Sequence, residues 1–111
     1  MKHFMKLNAL PFSLMKNGKK DVELRLNDEK RRCVAVGDEI EFTCIETGEV
    51  LLTVVKHRHE YADFHTLYEN FDKERLGYLP KEPASPDDML EYYSADDVNR
   101  YGVVGLEIKI L

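Results

Sequence analysis

At 111 residues and 13.0 kDa, the chain has the length of a single domain, residues 1–111, with no room for a second one. Hydrophobic residues make up 43% and charged residues 33% of the sequence, which is typical of a globular protein and excludes wholesale disorder and a membrane span. The net charge of −5 disfavours a nucleic-acid partner when the chain is taken as a whole.

The chain begins with a strand and a helix. Residues 2–7 alternate basic and apolar side chains and predict a short strand. Pro11 at a first helical position and Gly18 just past the last apolar residue are start and stop signals for a helix between them. The turn at Gly18 leads directly into the next strand.

Residues 20–26 form the most informative stretch of the sequence. Their apolar and charged residues alternate, which predicts a strand with one face in the core and the other presenting charge. Glu23 and Arg25 are two residues apart on the charged face, close enough to hold each other or to hold a polar ligand together. Lys20 lies at the strand entrance, where alternation does not yet determine its direction.

Three further elements complete the first half of the chain. Residues 27–32 are polar and predict one helical turn, with Asn27 or Asp28 as its cap. Residues 39–44 alternate as a half-buried strand after a Gly-Asp turn. Residues 50–55 are apolar on both faces, which predicts a strand near the centre of the sheet, paired with its predecessor in a hairpin.

The second half alternates helices and loops before a last strand. Residues 62–72 have apolar residues at helical spacing, and residues 77–85 have the glycine and prolines of a loop. Ser85-Pro86 and Ser94 mark the starts of two short helices. Residues 104–110 alternate clearly as a strand. About five strands with short separate helices predict an α+β domain containing a small mixed or closed barrel.

Charge is segregated along the chain. Residues 1–32 carry nine Lys or Arg against four acids, whereas residues 82–97 carry six acids and no base. A polyanion would be attracted to the first segment and repelled by the second. The alternative is a solvated surface of mixed charge.

The cysteines and the N-terminus indicate the cellular compartment of the protein. Residues 1–7 contain no continuous hydrophobic segment, so no signal peptide is predicted. Cys33 and Cys44 lack a CxxC spacing. We therefore expect a cytoplasmic protein with two reduced thiols, Cys44 packing as a small apolar side chain.

A metal site is the least supported of the functional hypotheses. His57 and His59 on a strand would point to one side, as two metal ligands do, but the sequence offers no compelling third ligand beside them. No glycine-rich phosphate loop is present. We therefore predict neither a metal nor a cofactor.

Several segments together resemble a known family, the ASCH domain family, over nearly the whole chain. Its signature is the GxKxxExR element that starts at Gly18. The resemblance implies a PUA-like fold, a small barrel of five or six mixed strands with flanking short helices and a cleft where the signature residues gather. The segments that carry it are Leu10-Pro11-Phe12, Gly18-x-Lys20-x-x-Glu23-x-Arg25, Gly37-Asp38-x-Ile40-x-Phe42, Tyr92-Tyr93 and Tyr101-Gly102-Val103-Val104-Gly105-Leu106-x-Ile108.

The resemblance implies an RNA, nucleoside or nucleotide partner and leaves open whether the chain is an enzyme. Some small bacterial relatives resemble an amidohydrolase that removes the acetyl group from N4-acetylcytidine, and others a ribonuclease. In an enzyme, Lys20 and Glu23 would be catalytic. The amidohydrolase-like members have threonine where this chain has Glu23, together with a separate glutamate for which Glu69 and Glu74 are the candidates. The glutamate at position 23 favours binding over amide hydrolysis.

For a binding protein, Lys20 and Arg25 would contact phosphate or a base edge, and Glu23 would orient Arg25 or accept from an amino group. The alternative is that these three side chains form a structural ion-pair network. Stacking on a base needs aromatic side chains. The tyrosine candidates are Tyr92 and Tyr93, with Tyr61, Tyr68 and Tyr78 as further ones.

The sequence leaves three questions open. The carboxylate that accompanies Lys20 is Glu23, Glu69 or Glu74. The acidic segment from Glu82 to Asp97 either lies away from the cleft or covers it, in which case its charge would repel phosphate and favour an uncharged nucleoside. Neither the oligomeric state nor the identity of the ligand follows from the residues.

Overall fold

The computed structural model describes all residues 1–111 and contains one five-stranded mixed sheet, curled into a half-barrel. Its order is β1-β3-β4-β5-β2. The β1–β3 pair is parallel, and every other pair is antiparallel. The strands are β1 (Lys2–Leu7), β2 (Val22–Leu26), β3 (Glu39–Cys44), β4 (Val50–Tyr61) and β5 (Val103–Ile110). The predicted α+β class with mixed strands is confirmed.

Five short α-helices and one 3₁₀ helix flank the sheet. They are α1 (Ala9–Lys16), α2 (Glu29–Arg32), α3 (Phe64–Glu69), α4 (Lys73–Leu76), the 3₁₀ helix (Pro86–Glu91) and α5 (Ala95–Tyr101). None of them has both the length and the apolar character that crossing a bilayer requires.

Side-chain caps explain most of the helix boundaries. Asp63 accepts from the backbone N–H of Thr66 at 2.9 Å and starts α3. The helix predicted over residues 62–72 is shorter than expected, because α3 already ends at Glu69 and the separate α4 begins only at Lys73. At the 3₁₀ helix, the side chains of Ser85 and Asp88 form a capping box. The predicted cap at Ser94 is confirmed by its bond from Asp97 N at 3.1 Å.

The alternative caps of α2 are resolved by the structure. The Asp28 side chain accepts from Arg31 N at 3.1 Å and is the cap. The Asn27 side chain is turned elsewhere and donates to Glu60 at 3.0 Å.

Strand β4 lies at the centre of the sheet, as predicted, and pairs with β3 in a hairpin. Although residues 50–55 are apolar on both faces, the strand is not buried throughout, because Val50 is 55% and Leu52 36% exposed. The strand also continues to Tyr61, past a bulge between Val55 and His57. The second half of the strand was not predicted, because its residues are mostly polar and show no hydrophobic alternation.

Two apolar clusters lie on the two faces of the sheet. The first contains Val104, Leu106 and Ile108 of β5 and fills the half-barrel, while the second contains alternate residues of β2 and packs against α3, α4 and α5. Cys44 is buried in the first cluster, as predicted. The members of the first cluster are Met5, Leu7, Phe12, Met15, Val34, Ile40, Phe42, Cys44, Val55, Val104, Leu106 and Ile108.

This arrangement corrects the prediction that β2 presents charge on an outer face. Glu23 pairs with Leu106 and Arg25 with Val104, and paired residues of neighbouring strands point to the same face. The two charged side chains therefore point into the half-barrel with the first cluster. Four of the five residues of β2 are buried, including Glu23.

Candidate functional site

The Lys20 ammonium is buried and fully occupied by three acceptors. Only 3% of the residue is exposed. Nζ donates to the carbonyl of Val22 at 2.7 Å and to that of Leu76 at 2.9 Å, and lies 3.2 Å from Oε1 of Glu23. Because an ammonium has three N–H donors, Lys20 joins the start of β2 to the end of α4 and retains no free donor.

Glu23 is shared between two cations. Its Oε1 lies against Lys20, while its Oε2 accepts from Arg25 Nε at 2.7 Å and lies 2.6 Å from Nη2. Glu23 is 5% exposed. The carboxylate that accompanies Lys20 is thus Glu23, because Glu69 and Glu74 are both exposed and outside the cleft described below.

Burial and charge act in opposite directions on the pKa values of this trio. Burial lowers the pKa of Lys20, and the nearby Glu23 charge only partly offsets this. Burial tends to raise the pKa of Glu23, but the Lys20 and Arg25 charges outweigh it, so the pKa of this carboxyl is lowered. Burial also opposes the charge on Arg25, and the adjoining Glu23 reverses that effect and raises the pKa of Arg25.

Arg25 also bridges the opening of the half-barrel. Strands β1 and β2 are the two edges of the sheet and do not pair with each other. The Nη2 atom of Arg25 on β2 donates to the carbonyl of Lys6 on β1 at 3.0 Å. One side chain therefore connects the two edge strands where a backbone ladder is missing.

Gly77 makes room for the stem of Lys20. A Cβ atom at Gly77 would lie 3.0 Å from Cδ of Lys20, and the backbone of Gly77 has φ of +109°. Both observations favour glycine over any residue with a side chain at the end of α4. The sequence predicted a loop here but not this contact.

A cleft of about 700 Å³ opens at the gap between β1 and β2. Its lining combines the signature residues with an acidic wall formed by the segment from Glu82 to Asp97. This agrees with the alternative in which the acidic segment covers the cleft. Acidic side chains outnumber basic ones around the cleft by four to three. These seven are Lys6, Lys20, Arg25, Glu23, Glu82, Asp88 and Glu91.

The predicted tyrosines Tyr92 and Tyr93 both line the cleft. Tyr92 is 62% exposed. Tyr93 stacks on Phe64 with ring centroids 6.2 Å apart, and its hydroxyl is near enough to Arg25 to raise the pKa of the guanidinium. The structure thus gathers Lys20, Glu23, Arg25 and this tyrosine pair in one place. Their roles in binding remain predictions.

The tyrosine pair Tyr68 and Tyr78 anchors the acidic wall. Their hydroxyls are 2.8 Å apart, and that of Tyr78 also donates to Asp88 at 2.7 Å. Burial and these two neighbours strongly raise the pKa of Tyr78. Both tyrosines line the cleft, whereas Tyr61 does not. Nothing in the sequence indicated that Asp88 would be drawn to a tyrosine ten residues away.

His57 and His59 lie on the second half of β4, away from the cleft. The Nε2 atom of His59 is 3.0 Å from Glu107, and its ring packs edge-on against Phe71 at 5.0 Å. No group of three His, Cys, Asp or Glu side chains is placed to hold a metal ion.

Comparison with known proteins gives consistent results. A family model described as the ASCH domain matches residues 5–111. The crystal structure of the hypothetical protein PH0355 is 35% identical over the whole of both chains, with a TM-score of 0.84. The solution structure of PF0455 from Pyrococcus furiosus is 34% identical, with a TM-score of 0.75 over all of this chain and 98% of the other.

A more distant structure supports the fold alone. ASCH from Zymomonas mobilis is 14% identical, with a TM-score of 0.64 over 96% of this chain and 65% of the other. Among curated protein sequences, none matches this chain significantly. With the signature, the curled mixed sheet and a family match over almost all residues, the chain belongs to the ASCH domain family and has its PUA-like fold.

Proposed function

We propose that the chain binds a nucleoside, either free or as one unit of an RNA, in the cleft between β1 and β2. The observation that carries this proposal is the acidic wall of the cleft. Glu82, Asp88 and Glu91 line the cleft, and a phosphate placed there would meet their charges at short range. An uncharged sugar and base would not be repelled in this way.

Two of the three basic side chains of the cleft are already paired with a carboxylate, and the third, Lys6, is exposed. Lys20 and Arg25 share the Glu23 carboxylate, and Lys20 has no donor left for a phosphate. An RNA backbone is bound mainly through free Lys and Arg side chains on an open face. A partly enclosed cleft with a paired Lys-Glu-Arg trio is better suited to a small neutral group.

Tyr92 is the side chain best placed to stack on a base. It lines the cleft with 62% of its surface exposed, so a ligand can cover it without rearrangement of the core. Loss of one stacking contact in a single-stranded complex costs about 1–3 kcal/mol, or roughly 5- to 150-fold in affinity.

Calorimetric titration of the four nucleosides and their 5′-monophosphates tests the proposal. We expect at least one nucleoside to bind more tightly than its monophosphate, and Tyr92→Ala to weaken that binding within the range given above. Leu90→Ala is the matched control, because Leu90 is 56% exposed on the 3₁₀ helix just before Tyr92 but does not line the cleft. Tighter binding of every monophosphate, or no nucleoside binding at all, would contradict the proposal.

A small hydrolase acting on a nucleoside or RNA is the second candidate. The observation in its favour is the lowered pKa of the buried Lys20 beside Glu23, since perturbed ionisable groups gather at catalytic sites. Against it, an ammonium that donates to three acceptors has no lone pair for attack or proton abstraction. Turnover of N4-acetylcytidine or a mixed RNA pool by wild type, lost in Lys20→Ala, would establish this function in place of simple binding.

A further inference from the structure

The backbone of Leu24 holds a donor and an acceptor that point towards the cleft. Strand β2 pairs only with β5, and Ile108 N donates to Asp21 O at 2.9 Å while Asn27 N donates to Gly102 O at 3.0 Å. Along an antiparallel strand, the backbone groups of successive residues point alternately to the two sides. Asp21 and Asn27 face β5, so Leu24 faces the other way.

Other observations support this orientation. The carbonyl of Val22, two residues earlier, accepts from Lys20 Nζ on the side away from β5. Leu24 pairs in register with Gly105, yet alternation makes this a pair without backbone hydrogen bonds. No turn, loop or side-chain hydrogen bond reaches the Leu24 N–H or C=O either.

An unpaired backbone donor and acceptor in a buried residue require an explanation. Leu24 is 8% exposed, its side chain belongs to the second apolar cluster, and the residue lines the cleft. More than nine in ten buried backbone N–H and C=O groups in native proteins have a hydrogen-bond partner. The missing strand on this side of β2 leaves these two groups for whatever enters the cleft.

We propose that the Leu24 N–H and C=O read the Watson–Crick edge of the bound base. Each nucleobase presents there an acceptor next to a donor: a ring carbonyl beside a ring N–H in uracil and guanine, and a ring nitrogen beside an amino group in cytosine and adenine. A backbone N–H and C=O on the same side of one residue match such a pair. This inference rests on the proposed nucleoside binding and adds the part of the ligand that is recognised.

The ligand arm of the test uses methyl groups that remove the donor of each base. Uridine, guanosine, cytidine and adenosine are titrated against 3-methyluridine, 1-methylguanosine, N4,N4-dimethylcytidine and N6,N6-dimethyladenosine. We expect every nucleoside that binds to lose at least tenfold in affinity on methylation, because the blocked edge leaves buried groups unpaired. 5-Methyluridine, with its methyl group off that edge, should bind within about threefold of uridine.

The protein arm removes the backbone donor itself. Semisynthesis replaces Leu24 by its α-hydroxy analogue, which turns one amide into an ester and keeps the side chain. The control is the same replacement at Leu106, whose register with Glu23 places its N–H in the ladder between β5 and β2. We expect the Leu24 ester to lower Tm by no more than half as much as the Leu106 ester, and to weaken nucleoside binding at least tenfold.

The outcomes separate the two proposals. If nucleosides bind and their methylated counterparts bind equally well, the proposed recognition of the base edge by Leu24 is wrong and the proposed function stands. If the Leu24 ester loses as much stability as the Leu106 ester, Leu24 N–H is not a free group and the inference is wrong even before a ligand is tested. If no nucleoside binds, both proposals fail.

Discussion

Replacing Glu23 by glutamine removes the negative charge that Lys20 and Arg25 share, with almost no change in shape. Both cations stay largely shielded from water, since the Lys20 side chain is 4% and the Arg25 side chain 15% exposed. A buried charge without its partner is far more costly than a surface charge in water. The substitution therefore measures how strongly the trio depends on its central carboxylate.

The distances set the size of the effect. With an effective dielectric constant of about 20, a separation of 3.2 Å between Lys20 and Glu23 corresponds to about 5 kcal/mol of attraction. The 2.6 Å contact between Arg25 and Glu23 corresponds to about 6 kcal/mol. Desolvation of the three groups offsets most of this, and breaking a buried pair by removing one partner costs about 3–5 kcal/mol. For a domain of this size, that lowers Tm by roughly 10–20 °C.

Urea unfolding of wild type and Glu23→Gln, followed by circular dichroism, gives the difference in the free energy of unfolding. Glu49→Gln is the control, because the Lys16–Glu49 pair is about half exposed on both sides and such pairs contribute about 0–1 kcal/mol. A double-mutant cycle with Lys20→Met isolates the coupling between Lys20 and Glu23. If Glu23→Gln costs less than about 1 kcal/mol, no more than the control, the trio does not depend on its carboxylate and the reasoning is wrong.

Three further predictions concern stability and reactivity. Gly77→Ala should cost about 1–3 kcal/mol in urea unfolding, more than Gly48→Ala, because both glycines have positive φ but only at Gly77 would a Cβ meet another side chain; equal costs would contradict the close contact. Since the pKa of Glu23 is lowered from 4.5, the stability that the ionised Glu23 gives the fold is present above pH 4.5 and is lost as the pH falls through the folded-state pKa. Wild type should therefore lose stability more steeply with acid than Glu23→Gln. Parallel pH profiles of the two proteins would refute this. Cys33 is exposed and Cys44 3% exposed, so a thiol reagent should modify one cysteine rapidly in the native protein and the second only on unfolding; two equally fast reactions would count against the burial of Cys44.

The strands were the most predictable part of the fold. Alternation in residues 104–110 and 39–44 depends only on side chains pointing to opposite faces of a strand, and both strands are present. The second half of β4 was missed because its residues, Lys56 to Tyr61, are mostly polar. Their pairing with β5 decides their structure, and a partner more than forty residues away leaves no local signal.

The gathering of the signature residues in one cleft was predictable, but their contacts were not. The signature identified Lys20, Glu23 and Arg25, and alternation correctly placed the last two on one face. Alternation cannot tell which face of an edge strand turns into a barrel, so the burial of Glu23 and the satisfaction of Lys20 by backbone carbonyls were not foreseen. The acidic wall depends on bonds such as that between Tyr78 and Asp88, which no local pattern specifies.

The position of β2 at the far edge of the sheet has a consequence for how the protein folds. Val22 and Glu107 are paired, although most of the chain separates them, and Lys20 reaches the carbonyl of Leu76 from 56 residues away. During synthesis, β2 leaves the ribosome early but has no neighbouring strand until β5 follows. Closing loops of this length is slow compared with forming the β3–β4 hairpin, so the cleft should be among the last parts of the molecule to form.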